Sequence, residues 1–221
     1  MMVQSLTVPV PEEVWLGIDI GTVTAKVAVL EVTDPANPAE FVDYPLKFPT
    51  NNRNQTTTEL DTTLVFSKDG LTCTHGSGGL SYPEAHFFRD WKPGAMGLPP
   101  FAQILTNACR LLQKSAPQIK DFTPGTLFRT LLSHIAKTAR DHIQNIYGHD
   151  IEVIRCILTY PVSCSEALQI LLLQEASAAG LDVMGALSES MATAYSLQSH
   201  PRLTLLKGAK MFLDYGGATL V

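Results

Sequence analysis

The stretch "WLGIDIGTVTAKVAVLEV", residues 15–32, decides how the rest of the sequence is interpreted. Apolar and β-branched residues fill it, which is typical of buried strands, and Gly21-Thr22 divides it into two. The first strand ends beside a carboxylate, Asp19. A carboxylate at the end of a buried strand lies at the rim of a sheet, where water and a hydrated cation reach it. The stretch therefore predicts a strand-turn-strand unit with an acidic group at one sheet edge.

Length, charge and cysteine content indicate which classes of protein and partner fit the sequence. The chain has 221 residues, 45% of them hydrophobic and 17% charged, which is enough for one large domain or two small ones. The net charge is -5 and the basic residues are scattered, so we expect neither nucleic acid nor a membrane as partner. Four cysteines without a C-x-x-C pair fit reduced thiols and a cytoplasmic location. No apolar run approaches the ~18 residues of a membrane span.

The first half of the chain reads as strands followed by helices. Runs at 14–20, 24–32 and 39–48 predict an antiparallel meander. A surface loop is expected over 51–61, then a hairpin that turns at Asp69-Gly70, then a loop over 76–100. Apolar residues then recur at helical spacing in two segments, Phe101 to Leu112 and Phe128 to Ile146.

The second half alternates strands and helices. A strand over 151–161 should precede a helix that Ser163 or Ser165 caps and that ends at Gly180. A strand over 181–187 and a helix from Ser188 to about Gln198 follow. The whole order predicts an α/β layered domain.

The end of the chain repeats its beginning. "FLDYGGATLV", residues 212–221, again gives an apolar strand, an aspartate (Asp214), one residue, glycine and a threonine. Glycines let backbone N–H groups approach an anion, so two such turns facing each other would hold a metal-bound polyphosphate. The alternative is that each turn only ends a strand, with the aspartate bonding its own backbone.

Three blocks of the sequence resemble the actin-like ATPases, and within them the DnaK-type 70-kDa heat-shock chaperones. They are "GIDIGTVTAKVAVL", "ILTYPVSCSEALQILLLQEASAAGLDVMGALSESMATAYSL" and "FLDYGGATLV". The resemblance implies a ribonuclease H-like lobe, a mixed sheet flanked by helices, over 14–200, with 51–150 as a hairpin and helical insert. Residues 1–13 would then be a flexible leader, and 201–221 the first strand of a truncated second lobe.

The resemblance also implies roles for individual residues. Asp19 and Asp214 would bind Mg²⁺ through water, and Glu189, grouped with Asp19 as catalytic, would order metal-bound or attacking water. The alternative for Glu189 is a carboxylate favoured at a helix N-terminus. The β- and γ-phosphates of ATP would lie in a cradle formed by Gly21, Thr22, Val23, Gly216, Gly217 and Thr219.

Departures from the family pattern concern hydrolysis more than binding. Val23 stands where the family has a second threonine, and Val221 stands where an aspartate is expected. The family's catalytic lysine should follow the hairpin, but Arg89 and Lys92 both lie there without a clear assignment. We therefore expect ATP binding with weak or absent hydrolysis, because the phosphate cradle is largely backbone.

Two other functions stay open at this point. The chain could be a non-catalytic interaction module that keeps the actin-like scaffold, or, less expected, a fragment of a sugar or metabolite kinase. The resemblance implies nucleotide as the principal partner. An unfolded client or a co-chaperone would bind through regions that this sequence lacks.

Overall fold

A computed structural model describes residues 11–34, 36, 41–50, 55–70, 72–76, 84–148, 151 and 153–199. The strands in these ranges are β1 (Glu13–Ile20), β2 (Thr24–Val32), β3 (Phe41–Pro45), β4 (Phe48–Pro49), β5 (Thr56–Thr57), β6 (Glu59–Asp61), β7 (Leu64–Phe66), β8 (Cys73–His75), β9 (His86–Phe88), β10 (Ile154–Tyr160) and β11 (Asp182–Ser188). The helices are α1 (Trp91–Ala95), α2 (Phe101–Ser115), α3 (Pro124–Tyr147), α4 (Glu166–Ala178) and α5 (Glu189–Ser199).

The main sheet has the strand order β11-β10-β1-β2-β3, and β6 pairs with the beginning of β2. Strands β1, β2 and β3 form the predicted antiparallel meander. Strand β10 is parallel to β1, and β11 is parallel to β10. The expectation of a mixed sheet flanked by helices is confirmed.

Alternation along the strands gives the sheet a buried inner face. In β1, for example, Val14, Leu16, Ile18 and Ile20 are buried, whereas Gly17 and Asp19 between them are exposed. The inner face joins the buried stripe of α3 in one hydrophobic cluster. Side chains alternate between the two faces of a strand, so the same alternation that fills the core places Asp19 on the outer face.

The helices follow the predicted periodicity and end signals. Helix α3 begins with Pro124 behind a capping box in which Thr123 and Thr126 bond each other's backbone N–H groups. Of the two proposed caps for α4, the structure selects Ser165, whose hydroxyl accepts the N–H of Leu168. Gly148 at the end of α3 adopts positive φ, the conformation that favours glycine.

Two loop predictions were wrong in part. Residues 56–57 and 59–61 are short strands rather than surface loop, and 76–100 contains β9 and α1. Strands of two or three residues are too short to show a period of two, and α1 has the sequence Trp-Lys-Pro-Gly-Ala, whose proline and glycine favour turns. The hairpin turning at Asp69-Gly70 is confirmed, because β7 pairs antiparallel with β8.

Two further expectations concern cysteines and membranes. All four cysteines, Cys73, Cys109, Cys156 and Cys164, are free thiols. In the part of the chain that the structure describes, no helix combines the length and the apolar character needed to cross a bilayer.

Candidate functional site at the carboxyl edge of the sheet

Three polar residues meet where the parallel strands end. Asp19 is the penultimate residue of β1, Thr159 is the penultimate residue of β10, and Glu189 follows β11 directly as the first residue of α5. The Thr159 hydroxyl donates a hydrogen bond of 2.6 Å to Asp19 Oδ1. All three residues line one cleft of about 630 Å³. Ligands of open α/β sheets bind at the carboxyl ends of the strands, which is where this cleft lies.

The hairpin between β1 and β2 requires glycine at position 21. The Gly21 N–H donates to the Thr24 carbonyl at 2.9 Å. A Cβ atom on Gly21 would lie 2.5 Å from that carbonyl oxygen, closer than any real Cβ contact. The glycine therefore allows a turn tight enough to bring backbone close to a ligand at the sheet edge.

Thr62 holds the same hairpin from the other side. Its hydroxyl donates to the Thr22 carbonyl at 2.8 Å, and its N–H donates to the Val23 carbonyl at 3.0 Å. Its own carbonyl accepts the indole N–H of Trp91 at 2.8 Å. Thr62 is 2% exposed, so these bonds are shielded from water. Sequence reasoning did not identify Thr62, because its side-chain and carbonyl partners lie 40 and 29 positions away.

A buried ion pair completes the site. Lys92 Nζ lies 3.2 Å from Glu189 Oε1, and each side chain is only 11% exposed. Trp91 fixes helix α1, since it is buried, bonds Thr62 and packs edge-on against Phe128 with ring centroids 4.8 Å apart. Trp91 therefore positions its neighbour Lys92 beside Glu189. Trp91 also bonds Thr62, the residue that holds the hairpin.

The structure distinguishes between the two basic residues that sequence reasoning left unassigned. Lys92 pairs with Glu189, whereas Arg89 is exposed and its guanidinium lies 6.0 Å from the ring centroid of Phe87. The only signal available in the sequence was the family expectation of a lysine after the hairpin. The pair spans 97 positions, a separation that no local pattern reveals.

Cys164, just before helix α4, adds no charge beside the ion pair. Cys164 and Lys92 line one small cavity. Burial raises the pKa of the Cys164 thiol above its ordinary value, and the negative charge of Glu189 opposes the lowering effect of Lys92. Cys164 therefore stays a protonated thiol at neutral pH and brings no charge to the ion pair.

The remaining predicted site residues divide into two groups. Thr22 and Val23 lie in the hairpin turn, and the Val23 side chain is 57% exposed. The second predicted turn lies outside the described residues, and with it Asp214, Gly216, Gly217 and Thr219. In the described ranges, no group of three or more histidine, cysteine, aspartate or glutamate side chains is arranged to hold a metal ion.

Comparisons with known proteins find similarity among solved structures. No protein-family model matches the sequence, and no curated protein matches it. Among solved structures, the chain is similar to a non-polymerising mutant of MamK bound to AMPPNP, at 18% sequence identity and a TM-score of 0.47. The match covers 85% of this chain and 44% of that chain, so the present chain spans less than half of the MamK length. At this level, the likeness carries no information about what the present chain binds.

Proposed function

We propose that the chain is the nucleotide-binding lobe of an actin-like ATPase, and that it binds the polyphosphate of ATP at the carboxyl edge of its sheet. The observation that carries the proposal is the Lys92–Glu189 pair, which is almost fully buried and whose Glu189 member lines the same cleft as Asp19. A buried ion pair is poor evidence for stability, because desolvation offsets much of the attraction. Two opposite charges held out of water beside an exposed carboxylate are typical of a reaction site.

The donor set at the edge fits Mg²⁺. Asp19 presents an exposed carboxylate whose Oδ1 accepts the Thr159 hydroxyl, and Glu189 lines the same cleft. These are oxygen donors, which Mg²⁺ prefers, and this ion is usually held by one or two carboxylates together with substrate phosphates and water. Bound there, Mg²⁺ would neutralise charge on the phosphates. Asp19 would hold it through water, and we expect Asp214 to do so from the second turn.

The hairpin would contact the phosphates, and the ion pair would act on the attacking water and the transferred phosphoryl group. The backbone of Gly21, Thr22 and Val23 would approach the phosphates, with the turn held by Thr62. Glu189 would order the water that attacks the γ-phosphorus. Lys92 would hold the Glu189 carboxylate in place and present positive charge toward the transferred phosphoryl group. We further expect Gly216, Gly217 and Thr219 to complete the cradle.

The finer assignment to DnaK-type chaperones is also a proposal. It rests on the three sequence blocks, and it would add an unfolded client or a co-chaperone as partner. Hydrolysis is proposed to be weak, because Val23 and Val221 replace polar residues of the family pattern. The competing function is an interaction module that keeps the scaffold and does not use nucleotide.

Titration of the 221-residue chain with Mg-ATP in a calorimeter tests the proposal. We expect binding in the wild type, and a loss of about tenfold or more in affinity for Asp19→Asn, because a neutral amide is a poorer partner for hydrated Mg²⁺. Asp43→Asn is the matched control, since Asp43 is an exposed carboxylate on β3 that does not line the cleft. No heat with the wild type would overturn the proposal in favour of the interaction module, and equal affinity for Asp19→Asn would overturn the metal-binding role of Asp19.

A further inference from the structure

Thr159 lies beside Asp19 on the outer face of the sheet, and the strand register explains why. The parallel pairing of β1 with β10 places Ile18 beside Leu158. Both of these side chains are buried on the inner face. The next residue of each strand, Asp19 in β1 and Thr159 in β10, therefore has its side chain on the opposite face. The register of the sheet thus brings the two polar side chains together.

The hydrogen bond between them has a fixed direction. A threonine hydroxyl has a proton to donate and a carboxylate only accepts, so Thr159 is the donor to Asp19 Oδ1 at 2.6 Å. A hydroxyl bond of this length to a carboxylate belongs to the strong, charge-assisted class. Threonine is also stiff at χ1, because its Cβ is branched, and this stiffness holds the donor in place. The bond therefore restricts the rotamers that the exposed Asp19 side chain can adopt.

The backbone already joins β1 to β10 without this side-chain bond. The paired residues run from Val14 beside Ile154 to Ile18 beside Leu158. A single side-chain hydrogen bond at the end of such a ladder adds little to the pairing of the strands. What the Thr159 bond does determine is the orientation of the Asp19 carboxylate in the cleft.

The orientation of a carboxylate matters greatly to hydrated Mg²⁺. This ion demands near-octahedral geometry and keeps several of its waters, so a carboxylate that binds through water must meet those waters at defined positions. Carboxylates at metal sites are usually hydrogen-bonded in turn, and removing that hydrogen-bond partner typically lowers metal affinity by about 10–100-fold. Thr159 is such a partner for Asp19.

Thr159 also lies beside the buried ion pair. It lines the cleft together with Asp19 and Glu189. It lines the small cavity together with Lys92 and Cys164. Its position is therefore between the two parts of the proposed site, the carboxylate that would bind hydrated Mg²⁺ and the ion pair that would act on the phosphoryl group.

We propose that Thr159 is a positioning residue for Mg²⁺, and that its hydroxyl holds the Asp19 carboxylate in the orientation that binds the hydrated ion. The inference rests on the proposed function and adds to it a residue that acts through Asp19. Affinity for Mg-ATP should then depend on the Thr159 hydroxyl only while residue 19 is an aspartate.

The test measures Mg-ATP affinity by calorimetry on the 221-residue chain with Thr159→Val or Thr159→Ser. Valine nearly keeps the shape of threonine and loses the donor, whereas serine keeps the donor and loses a methyl group. We expect Thr159→Val to weaken binding about tenfold, and Thr159→Ser to stay within about threefold of the wild type. A merely structural role gives the opposite order, because valine preserves packing better than serine. Thr130→Val is the matched control, since the Thr130 hydroxyl donates to the Thr126 carbonyl within α3.

The same valine substitution in an Asp19→Ala background shows whether Thr159 acts through Asp19. We expect no further loss there, because the carboxylate that Thr159 orients has been removed. If Asp19→Ala binds too weakly to measure, the order of the valine and serine variants decides. Thermal unfolding of each variant without ligand confirms that it is folded.

The outcomes separate the positioning role from the proposed function. Three results overturn the role of Thr159 and leave the proposed function standing. They are wild-type affinity in Thr159→Val, equal weakening by valine and serine, and loss by the same factor with and without the Asp19 carboxylate. Absence of Mg-ATP binding in the wild-type chain overturns both proposals together.

Discussion

At the scale of single residues, the Lys92–Glu189 pair is the least expected feature of the molecule. Two charged side chains that are each 11% exposed lie 3.2 Å apart, and Glu189 lines the cleft. Removing one partner takes the opposite charge away from a buried charge, which is more unfavourable than removing both. The pair therefore makes a stability prediction that is independent of any ligand.

We expect Lys92→Met to lower the free energy of unfolding by about 3 kcal/mol, and the double variant Lys92→Met/Glu189→Gln to recover a large part of that loss. Urea unfolding of the wild type, both single variants and the double variant gives the coupling energy. Lys137 and Asp141 form the control pair, since their side chains are 72% and 53% exposed, and its removal should change stability by less than about 0.5 kcal/mol. Additive single effects at Lys92 and Glu189 would contradict the pairing.

At the scale of elements, the β1–β2 hairpin is the part of the proposed site most constrained by backbone geometry. Gly21, in the turn after β1, has no room for a side chain, whereas among the described residues an added Cβ on Gly17, within β1, would have Ala28 Cβ as its nearest neighbour at 3.9 Å. Alanine substitutions at these two glycines can therefore be compared directly, because one position is crowded and the other is open.

Gly21→Ala should destabilise the protein by about 1–3 kcal/mol, because the hairpin must open to relieve the contact with the Thr24 carbonyl. Gly17→Ala should be neutral or stabilising by up to about 1 kcal/mol, because alanine restricts the unfolded chain without a clash. Thermal unfolding of both variants measures the difference. Similar losses in the two variants would mean that the turn does not depend on close approach.

Element order was largely predictable from sequence, and the reasons are visible in particular segments. Helix α3 has 24 residues with a capping box and a proline at its start, so periodicity and end signals agree. Helix α1 was missed because five residues with proline and glycine carry no period. Strand β6 was missed because three residues gain strand geometry only from pairing with β2.

The candidate site was predictable only where its residues belong to a contiguous motif. Asp19 and Gly21 stand in one strand and turn, and Glu189 opens a helix after a strand, so each was identified from the sequence. Lys92 was only one of two candidates beside Arg89, and Thr62 was not identified, because their contacts depend on how the β7–β9 sheet and α1 pack beside the main sheet. Tertiary contacts of this kind have no sequence period.

At the scale of the whole molecule, a pair of stacked histidines links the peripheral sheet to the core helix. His75 on β8 and His134 on α3 stack with ring centroids 4.0 Å apart. Burial, and then the neighbouring His134, lowers the pKa of His75 to about 3. Burial, and then Lys137, lowers the pKa of His134 as well. Both rings are therefore neutral in the folded protein at physiological pH.

This stack should make global stability depend on pH. An unfolded histidine has a pKa of about 6.5, so below that pH the unfolded chain binds protons that folded His75 does not. The contribution is complete above about pH 6.5 and is lost as the pH falls toward the folded value, by up to about 1.4 kcal/mol per pH unit for His75. Urea unfolding between about pH 7.5 and about pH 5 measures the slope.

His75→Phe should flatten this slope, because phenylalanine keeps the stack and cannot bind a proton. Phe48→Leu is the control, since Phe48 also stacks on His134, with centroids 6.4 Å apart, and does not titrate. It should lower stability at every pH and leave the slope as in the wild type. An unchanged slope in His75→Phe would show that other groups govern the acid sensitivity.

The position of Thr62 has one more consequence. Thr62 makes two hydrogen bonds to the turn after Asp19 and a third to the indole of Trp91. Trp91 is the neighbour of Lys92 along the chain. The turn after Asp19 and Lys92 are therefore connected through Thr62 and Trp91. We therefore expect a ligand that displaces the turn to displace the Lys92 ammonium group as well, through Thr62 and Trp91.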